Sequence, residues 1–325
     1  MPFLLTMSEL SFERLRDWGL LLACNLIWSS QFVLVKIVQE QMGPVAATFF
    51  PMTLATLMLI PIVWREGKLH DRMPKRDVLE FILIGVFGQV VAQLFITWGV
   101  RFSLASNAAL LMLALPVSTA VMAYFFLGER MSAIRWVSFA LAIGGVIECS
   151  GVDWKELDLT SSKFFWGNLM IFLSVNGSAF YNAYSKKLLE RYSPLRVLLY
   201  SYYAVFAFLL PITLYSEPGS FQDLPRFTVR IWIGLGLLAA FQYFLSMVLF
   251  LNVLTRLDAT QAGLSNYLIP FFGLIIAAIV LGERLTAPMI FGGILVLGST
   301  LLVTVWEERK RARAESTTAS PAAGS

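Results

Sequence analysis

Apolar runs of about twenty residues follow one another along the chain, separated by short clusters of polar and charged residues. A helix needs about 20 apolar residues to cross a hydrocarbon core of about 30 Å. The runs are continuous, without the alternation typical of barrel strands, and backbone amides in lipid must be satisfied internally, so we expect helices. The pattern predicts an all-α polytopic membrane protein with ten transmembrane helices, at about residues 18–38, 45–64, 79–100, 104–126, 132–150, 164–185, 195–215, 230–252, 259–280 and 287–306.

The distribution of Lys and Arg predicts the orientation of these spans. With the N-terminus inside the cell, 18 of the 25 basic residues fall on the cytoplasmic side, where such residues accumulate in membrane proteins. We therefore expect a cytoplasmic N-terminal segment at 1–17 and a disordered, basic cytoplasmic tail at 307–325. The N-terminal sequence lacks the pattern of a cleaved signal peptide, so the first span is expected to act as its own insertion signal.

The two halves of the chain repeat each other. The string Leu127-Gly128-Glu129-Arg130 recurs 154 residues later as Leu281-Gly282-Glu283-Arg284. Further matched pairs, at offsets of 150 or 154, are Lys36 and Lys186, Pro44 and Pro194, Ala105 and Ala259, and Pro116 and Pro270. The repeats are predicted at 18–150 and 164–306, joined by an external linker at 151–163. Because five spans is an odd number, the second repeat is expected to be inverted, as in many secondary transporters.

These residues carry a resemblance to a known family. The stretch from Trp28-Ser29-Ser30 to Lys36, the stretch Ala105–Leu111 leading to Pro116, and both Leu-Gly-Glu-Arg strings resemble EamA-type members of the drug/metabolite transporter superfamily. The resemblance covers about residues 18–306. It implies ten helices in two related halves and a function similar to that of exporters of amino acids, other metabolites or drugs. One departure is that Ser178 occupies the position in the second half that matches Trp28.

Composition and motifs exclude several other classes of function. Apolar residues make up 58% and charged residues 14%, whereas soluble domains have roughly 45–50% and about 25%. The pI of about 9.1 reflects basic cytoplasmic loops, so no nucleic-acid partner is expected. The single histidine, His70, leaves no His-based zinc site or Ser-His-Asp triad, and no GxxxxGK[ST] string is present. We expect no cofactor, no metal and no enzymatic activity.

The span interiors hold an uncharged polar and aromatic set. No carboxylate lies at mid-depth, and Glu148 falls near the outer end of the fifth span. Amides facing lipid are costly, so these residues are expected to face a central cavity between spans 1, 3, 4, 6, 8 and 9. The predicted lining residues are Asn25, Trp28, Ser29, Phe32, Gln89, Gln93, Trp98, Asn107, Ser178, Tyr181, Gln242, Tyr243, Ser246, Asn266 and Tyr267. For any one of them, the alternative is a hydrogen bond between helices, worth about 0.6 kcal/mol.

Prolines and short turns complete the predicted set. Pro116 and Pro270 each remove one backbone hydrogen bond in mid-helix and are predicted to kink their helices, either as hinges or for packing alone. Structural turns and ion pairs are predicted at Glu129, Arg130, Glu283 and Arg284.

The leading hypothesis from the sequence is a secondary carrier of the inner cell membrane that exports small neutral, zwitterionic or amine-type metabolites such as amino acids. Efflux of drugs or lipophilic cations by the same fold is an alternative. A membrane-embedded enzyme or lipid-handling protein, or a channel, is an alternative of another class. The expected partners are a small solute and the lipid bilayer, and the protein could be a monomer or a homodimer.

Overall fold

The structure is a computed structural model, and it describes residues 7–65, 73–127, 132–149, 163–256, 266, 268–299, 302 and 306. Every regular element within these residues is helical. The long helices are α1 (Met7–Val38), α2 (Pro44–Arg65), α3 (Lys75–Phe102), α4 (residues 105–127), α5 (Ala133–Cys149), α6 (Lys163–Leu189), α7 (Pro194–Ser216), α8 (Val229–Leu254), α9 (Leu268–Leu281) and α10 (Ala287–Ser299). A short helix at Gly219–Gln222 and a 3₁₀ turn at Leu224–Arg226 join α7 to α8. The predicted all-α class is confirmed.

Length and composition identify the helices that can cross a membrane. Among the described residues, five helices meet both requirements: Arg16–Val38, Pro44–Arg65, Lys75–Phe102, Pro194–Ser216 and Val229–Leu254. Helix α6 is 27 residues long but carries several Asn and Ser residues, which lower its mean hydropathy. Large apolar side chains such as Trp64, Phe87 and Ile279 lie exposed on the outside of the molecule. An apolar exterior of this kind matches lipid rather than water.

Three helices depart from regular α-helical geometry. Helix α3 contains a π-helical segment at Ile84–Val90, and α8 contains one at Leu238–Leu245. Helix α4 runs as Ala105–Leu111, a 3₁₀ turn at Met112–Ala114 and then Leu115–Leu127. Pro116 has no N–H to donate to the carbonyl of Met112, four residues earlier, and the N–H of Leu115 bonds that carbonyl instead. The predicted irregularity at Pro116 therefore takes the form of one tight turn.

The two halves meet where α3 packs against α6. A Cβ atom at Gly177 would lie 2.7 Å from the backbone nitrogen of Ala92 and 3.1 Å from the carbonyl oxygen of Gly88. Only a glycine at position 177 allows the two backbones to approach this closely. The contact brings the polar residues of α3 that line the cavity close to those of α6.

Glu283 joins three segments at one end of the bundle. It lies directly after Gly282, which has a φ of 66°. Its carboxylate accepts hydrogen bonds from the backbone N–H groups of Ala105 (3.1 Å) and Ser106 (2.9 Å) and from the Ser106 hydroxyl (2.7 Å). Lys36 Nζ lies 2.9 Å from the same carboxylate. Glu283 thus satisfies the free N–H groups at the start of α4 and ties them to the end of α1.

Glu217 plays a comparable part at the start of α2. Its two carboxylate oxygens accept hydrogen bonds from the N–H groups of Val45 (3.1 Å) and Ala46 (2.8 Å). A Cβ atom at Gly43 would lie 2.2 Å from the Glu217 carboxyl carbon, so only glycine leaves room for this side chain.

Charged and polar side chains hold helix ends together elsewhere. Arg191, just after α6, pairs with Asp77 and Glu80 near the start of α3. Glu40, just after α1, pairs with Arg230 near the start of α8 at 3.3 Å.

Burial, together with the hydrogen bond to Asp77 and its charge, raises the pKa of Tyr192 to about 12. Tyr192 therefore remains a hydrogen-bond donor to Asp77 throughout the physiological range.

Candidate functional site

A cavity lies between six helices that come from both halves of the chain. It has about 610 Å³ of empty space, a volume that includes its open mouth. Helices α1, α3 and α4 of the first half and α6, α8 and α9 of the second half contribute its walls. The lining residues are Trp28, Gln31, Phe32, Gln89, Ala92, Gln93, Met112, Leu115, Ser178, Tyr181, Asn182, Gln242, Tyr243, Met247 and Ile269. Among these described residues, none carries a charge.

Gln31 is the centre of the polar side of the cavity. Its amide nitrogen donates to Gln93 Oε1 (2.7 Å) and, at 3.3 Å, to the Tyr243 hydroxyl. Its amide oxygen accepts a hydrogen bond from Gln242 Nε2 at 2.7 Å. One side chain of α1 thereby fixes side chains of α3 and α8.

The π-helical segments bring the partner side chains to this position. Gln89 lies within the π-helical segment of α3, and Gln242 and Tyr243 lie within that of α8. The wider turn shifts the register of the side chains that follow, and such segments are frequent at functional sites. The backbone at Tyr243 is held by Tyr202, whose hydroxyl donates to the Tyr243 carbonyl oxygen at 2.6 Å.

Trp28 forms a second link between α1 and α8. Its indole nitrogen donates to Ser246 Oγ at 3.0 Å, and Ser246 Oγ donates in turn to the Gln242 carbonyl at 2.5 Å. The Trp28 ring meets that of Phe250 edge to face, with centroids 4.9 Å apart. The indole is therefore fixed in orientation while part of it faces the cavity.

Apolar side chains form much of the remaining lining of the cavity. Phe32, Met112, Leu115, Met247 and Ile269 contribute hydrocarbon, thioether and aromatic surface. The 3₁₀ turn of α4 presents Met112 and Leu115. A solute with one polar and one apolar end could bury both ends in such a cavity.

One acceptor at the cavity has no partner. Among the described residues, Gln242 Oε1 is buried without a hydrogen bond, whereas the Tyr181 hydroxyl lies beside Ser201 and Gln89. Buried polar groups are normally satisfied, and an unsatisfied group costs about 1–3 kcal/mol. Gln242 Oε1 is therefore available to a bound solute. No group of three metal-binding side chains is found within the described part of the chain.

Comparison with known proteins identifies the family. The EamA-like transporter family matches residues 18–149 and 165–305, which together form most of the chain. The chain belongs to the EamA-like transporter family. The family is one of transporters, so the protein is a multi-pass membrane transporter and not an enzyme.

Individual relatives of this EamA-like transporter are distant. The probable terminal-alkyne amino-acid exporter of Streptantibioticus cattleyicolor is 28% identical over 287 residues, covering 88% of this chain and 92% of the relative. YetK of Bacillus subtilis, named an uncharacterized transporter, is 22% identical and covers 89% of this chain and 87% of its own. A solved crystal structure superposes with a TM-score of 0.62 at 15% identity, covering 90% of this chain and 98% of the other. The last match shows a shared fold.

Eight of the residues predicted to line the cavity of this EamA-like transporter lie on its wall in the structure. They are Trp28, Phe32, Gln89, Gln93, Ser178, Tyr181, Gln242 and Tyr243. Ser178 and Trp28, which match across the repeat, both lie on the wall. Three predicted residues, Tyr267, Glu129 and Arg130, lie outside the described residues. Arg284 is exposed in the turn between α9 and α10.

Six other predicted residues lie away from the cavity wall, and three of them join helices. Ser29 Oγ donates to the Ile269 carbonyl of α9 at 3.0 Å, directly before Pro270. Asn107 Nδ2 bonds Ser103 Oγ (3.2 Å), whose hydroxyl bonds Asn168 of α6. Ser246 holds Trp28, as described above. These contacts correspond to the alternative that the sequence leaves open, hydrogen bonding between helices.

The remaining three residues of that group are buried or packed differently. Asn25 is fully buried, and neither polar atom of its side chain forms a hydrogen bond with a described residue. The Trp98 ring stacks on Phe95 with centroids 6.3 Å apart. Asn266 is buried in the turn before α9, where its carbonyl accepts from the Ile269 N–H.

Several wall residues are absent from the sequence prediction. Gln31 follows Trp28 by three residues, so helical spacing and its amide together are a signal that could have identified it. Asn182 lies one residue beyond the predicted Tyr181. The apolar wall residues Met112, Leu115 and Met247 have no distinguishing signal, because most apolar residues of a span face lipid or other helices.

Proposed function

We propose that this EamA-like transporter is a secondary carrier that exports small metabolites without net charge, such as amino acids with apolar side chains. The observation that carries the proposal is the cavity itself, whose described lining is uncharged and includes both polar and apolar side chains. Its occupant would be amphipathic and small. The relative from S. cattleyicolor is named a probable terminal-alkyne amino-acid exporter, which supports testing amino acids first.

The absence of charged side chains on the described wall restricts the solute. Transfer of an uncompensated charge into an apolar site costs several kcal/mol or more. A zwitterion carries its own countercharge, and a neutral solute needs none. An anion with no compensating cation would find no basic partner at this wall.

We further propose that the chain crosses the membrane ten times, as two inverted repeats that support alternating access. The π-helical segments begin at Ile84 and Leu238, 154 residues apart, the same offset as the Leu-Gly-Glu-Arg strings. The cavity is lined by the first, third and fourth helices of one half and by the corresponding helices of the other. Such equivalence is expected of a carrier built from inverted repeats.

The junctions between helix ends support the inversion. The Arg191–Asp77 contact lies at the start of α3, whereas Gln39, just after α1, donates to the Thr97 carbonyl near the other end of α3 at 2.7 Å. Asp77 and Thr97 are 20 residues apart, about 30 Å along a helix. Glu190 and Arg191 match Glu40 and Gln41 at the offset of 150. Equivalent helix ends would therefore lie at opposite ends of the bundle.

The orientation with both termini in the cytoplasm rests on the distribution of basic residues. It assigns Lys36, Glu283 and the start of α4 to the outer side. The contact of Arg256 with Asp17 at 2.8 Å joins the end of α8 to the beginning of α1 and is assigned to the cytoplasmic side.

Reconstitution into liposomes tests the proposal. Purified protein should move at least one member of a panel of amino acids and amines under counterflow, and unlabelled solute on the far side should accelerate uptake. Such trans-stimulation is expected of a carrier, because the loaded carrier returns faster than the empty one, and is not expected of a channel. Absence of movement for the whole panel, under counterflow and under an imposed pH gradient, contradicts the proposal.

A further inference from the structure

The hydrogen bonds around Gln31 leave the polar side of the cavity rich in donors. Both amide hydrogens of Gln31 are used, one toward Gln93 Oε1 and one toward the Tyr243 hydroxyl. The Gln93 oxygen and the Tyr243 oxygen thus act as acceptors within the cluster. Each amide nitrogen has two hydrogens and each hydroxyl has one. No acceptor for the Gln93 amide hydrogens or the Tyr243 hydroxyl hydrogen is found among the described residues, so these donors remain available to a solute.

Two amide oxygens of the cluster are already occupied. Gln31 Oε1 accepts from Gln242 Nε2 at 2.7 Å, and Gln93 Oε1 accepts from Gln31. Ser246 Oγ accepts from the Trp28 indole, so the indole nitrogen is also occupied. A solute group beside Gln93 Nε2 and the Tyr243 hydroxyl therefore meets donors, which favour an oxygen acceptor, whereas Gln242 Oε1 is an acceptor of the cluster without a partner among the described residues.

From this geometry we infer that Gln93 Nε2 and the Tyr243 hydroxyl bind the carboxylate of a zwitterionic solute, and that Gln31 is the positioning residue that holds both in the donating arrangement. The inference rests on the proposed carrier function and narrows its substrate class. It favours amino acids over lipophilic cations, which are the alternative class of solute that the sequence leaves open. The ammonium group of the zwitterion supplies the countercharge that the wall lacks.

Burial makes this arrangement effective. Gln31 is only 7% exposed and Tyr243 only 1%, so water competes poorly for their hydrogen bonds. Hydrogen bonds to charged groups are stronger than those between neutral groups, and low local polarity strengthens them further. Loss of one such bond typically reduces affinity about tenfold or more.

Matched solutes separate the carboxylate from the ammonium group. We suggest leucine, its decarboxylated counterpart 3-methylbutan-1-amine, and its deaminated counterpart 4-methylpentanoate. If the transport panel identifies another amino acid as a better substrate, the corresponding three compounds of that amino acid replace them. Binding is measured on full-length protein in lipid nanodiscs, and transport in liposomes. The wild-type protein should bind the amino acid at least about tenfold more tightly than the amine.

Three variants test the assigned roles. Tyr243→Phe and Gln93→Leu each remove one donor to the solute, together with the acceptor of one Gln31 amide hydrogen. Each should weaken amino-acid binding about tenfold with little effect on the amine. Gln31→Glu replaces the amide donors by a carboxylate that accepts from Gln93 and Tyr243. This change should reverse the preference, so that the amine binds better than the amino acid.

Gln39→Leu is the matched control. Gln39 is also a glutamine of the α1 region and bonds the Thr97 carbonyl of α3 at 2.7 Å, but it does not line the cavity. Its loss should leave the ratio of amino-acid to amine affinity unchanged. A purely structural role for Gln31 would weaken both solutes in parallel and could not reverse their order.

The outcomes distinguish this inference from the carrier proposal. Transport of amines with equal or greater affinity than amino acids, or an unchanged ratio in Tyr243→Phe and Gln31→Glu, overturns the carboxylate assignment and leaves the carrier function standing. If no solute of the panel moves at all, the carrier proposal itself fails. Monodisperse elution and a thermal midpoint within a few degrees of wild type establish that each variant is folded.

Discussion

Trp28 is the residue whose two contacts can be separated by substitution. Trp28→Phe keeps a ring that can meet Phe250 but removes the hydrogen bond to Ser246 Oγ. We expect a loss of about 0.5–1.5 kcal/mol in stability and a rise in the KM for transport, because the ring is no longer held at one angle to the cavity. Thermal unfolding in detergent and concentration-dependent uptake in liposomes measure the two effects.

Trp98→Phe is the control for that substitution. Trp98 is also an indole in a long apolar helix, and its ring stacks on Phe95 without lining the cavity. We expect its KM to remain that of wild type. Equal changes in KM for both substitutions would mean that Trp28 acts only through stability.

Sequence and structure agree unevenly at the scale of residues. Trp28 and Gln93 could be assigned to the cavity because an amide or an indole within an apolar run is costly toward lipid. Ser29 and Asn107 carry the same signal yet bond neighbouring helices, since hydrogen bonding in a bundle has no sequence pattern that separates binding from joining. Gln31 shows the converse: its amide is visible in the sequence, but its role depends on partners from two distant helices.

At the scale of elements, the contacts of Glu283 depend on its charge. Burial raises the pKa of this carboxyl, but hydrogen bonds from Ser106 and the adjacent Lys36 outweigh burial, and the pKa is lowered from 4.5. A depressed pKa contributes stability that is present above the unfolded pKa and is lost as pH falls through the folded pKa. We expect Glu283→Gln to lower the thermal midpoint at about pH 6–8, with the difference from wild type shrinking below about pH 4.5.

Glu217→Gln provides a comparison with a different location. Glu217 also accepts two backbone N–H bonds at a helix start, but α2 contributes no residue to the described cavity wall. Both substitutions should lower the thermal midpoint, and only Glu283→Gln should also alter transport, because α1, α4 and α9 line the cavity. Unaltered transport in Glu283→Gln would show that this contact serves stability alone.

The helices themselves were largely predictable, and their irregular segments were not. Long apolar runs determined the positions of α2 and α7, since a run of that length has few alternatives in lipid. The π-helical segments of α3 and α8 have no comparable signal, because they depend on close packing with neighbouring helices. The turn at Met112–Ala114 is intermediate: Pro116 predicts a disturbance but not its form.

At the scale of the whole molecule, the contact between the halves at Gly177 holds together two of the helices that line the cavity. A Cβ atom there would lie 2.7 Å from the Ala92 nitrogen and 2.9 Å from a methyl carbon of Val91. The Ala92 backbone cannot rotate away as a side chain could, so Gly177→Ala must separate α3 from α6. We expect a clear fall in the thermal midpoint and a loss of transport, because Gln93 and Tyr181 would move apart across the cavity.

Gly236→Ala shows what the same substitution does without the contact. Gly236 lies in α8 with nothing within 4 Å of its added Cβ, and alanine is favoured over glycine in a helix by about 0.5–1 kcal/mol. Its thermal midpoint should equal or exceed that of wild type, with transport unchanged. Wild-type behaviour of Gly177→Ala would mean that the halves can separate at this point without cost, and the close α3–α6 contact would then have no part in forming the cavity. A fall in both glycine variants would contradict the prediction for Gly236, because helix propensity favours alanine over glycine.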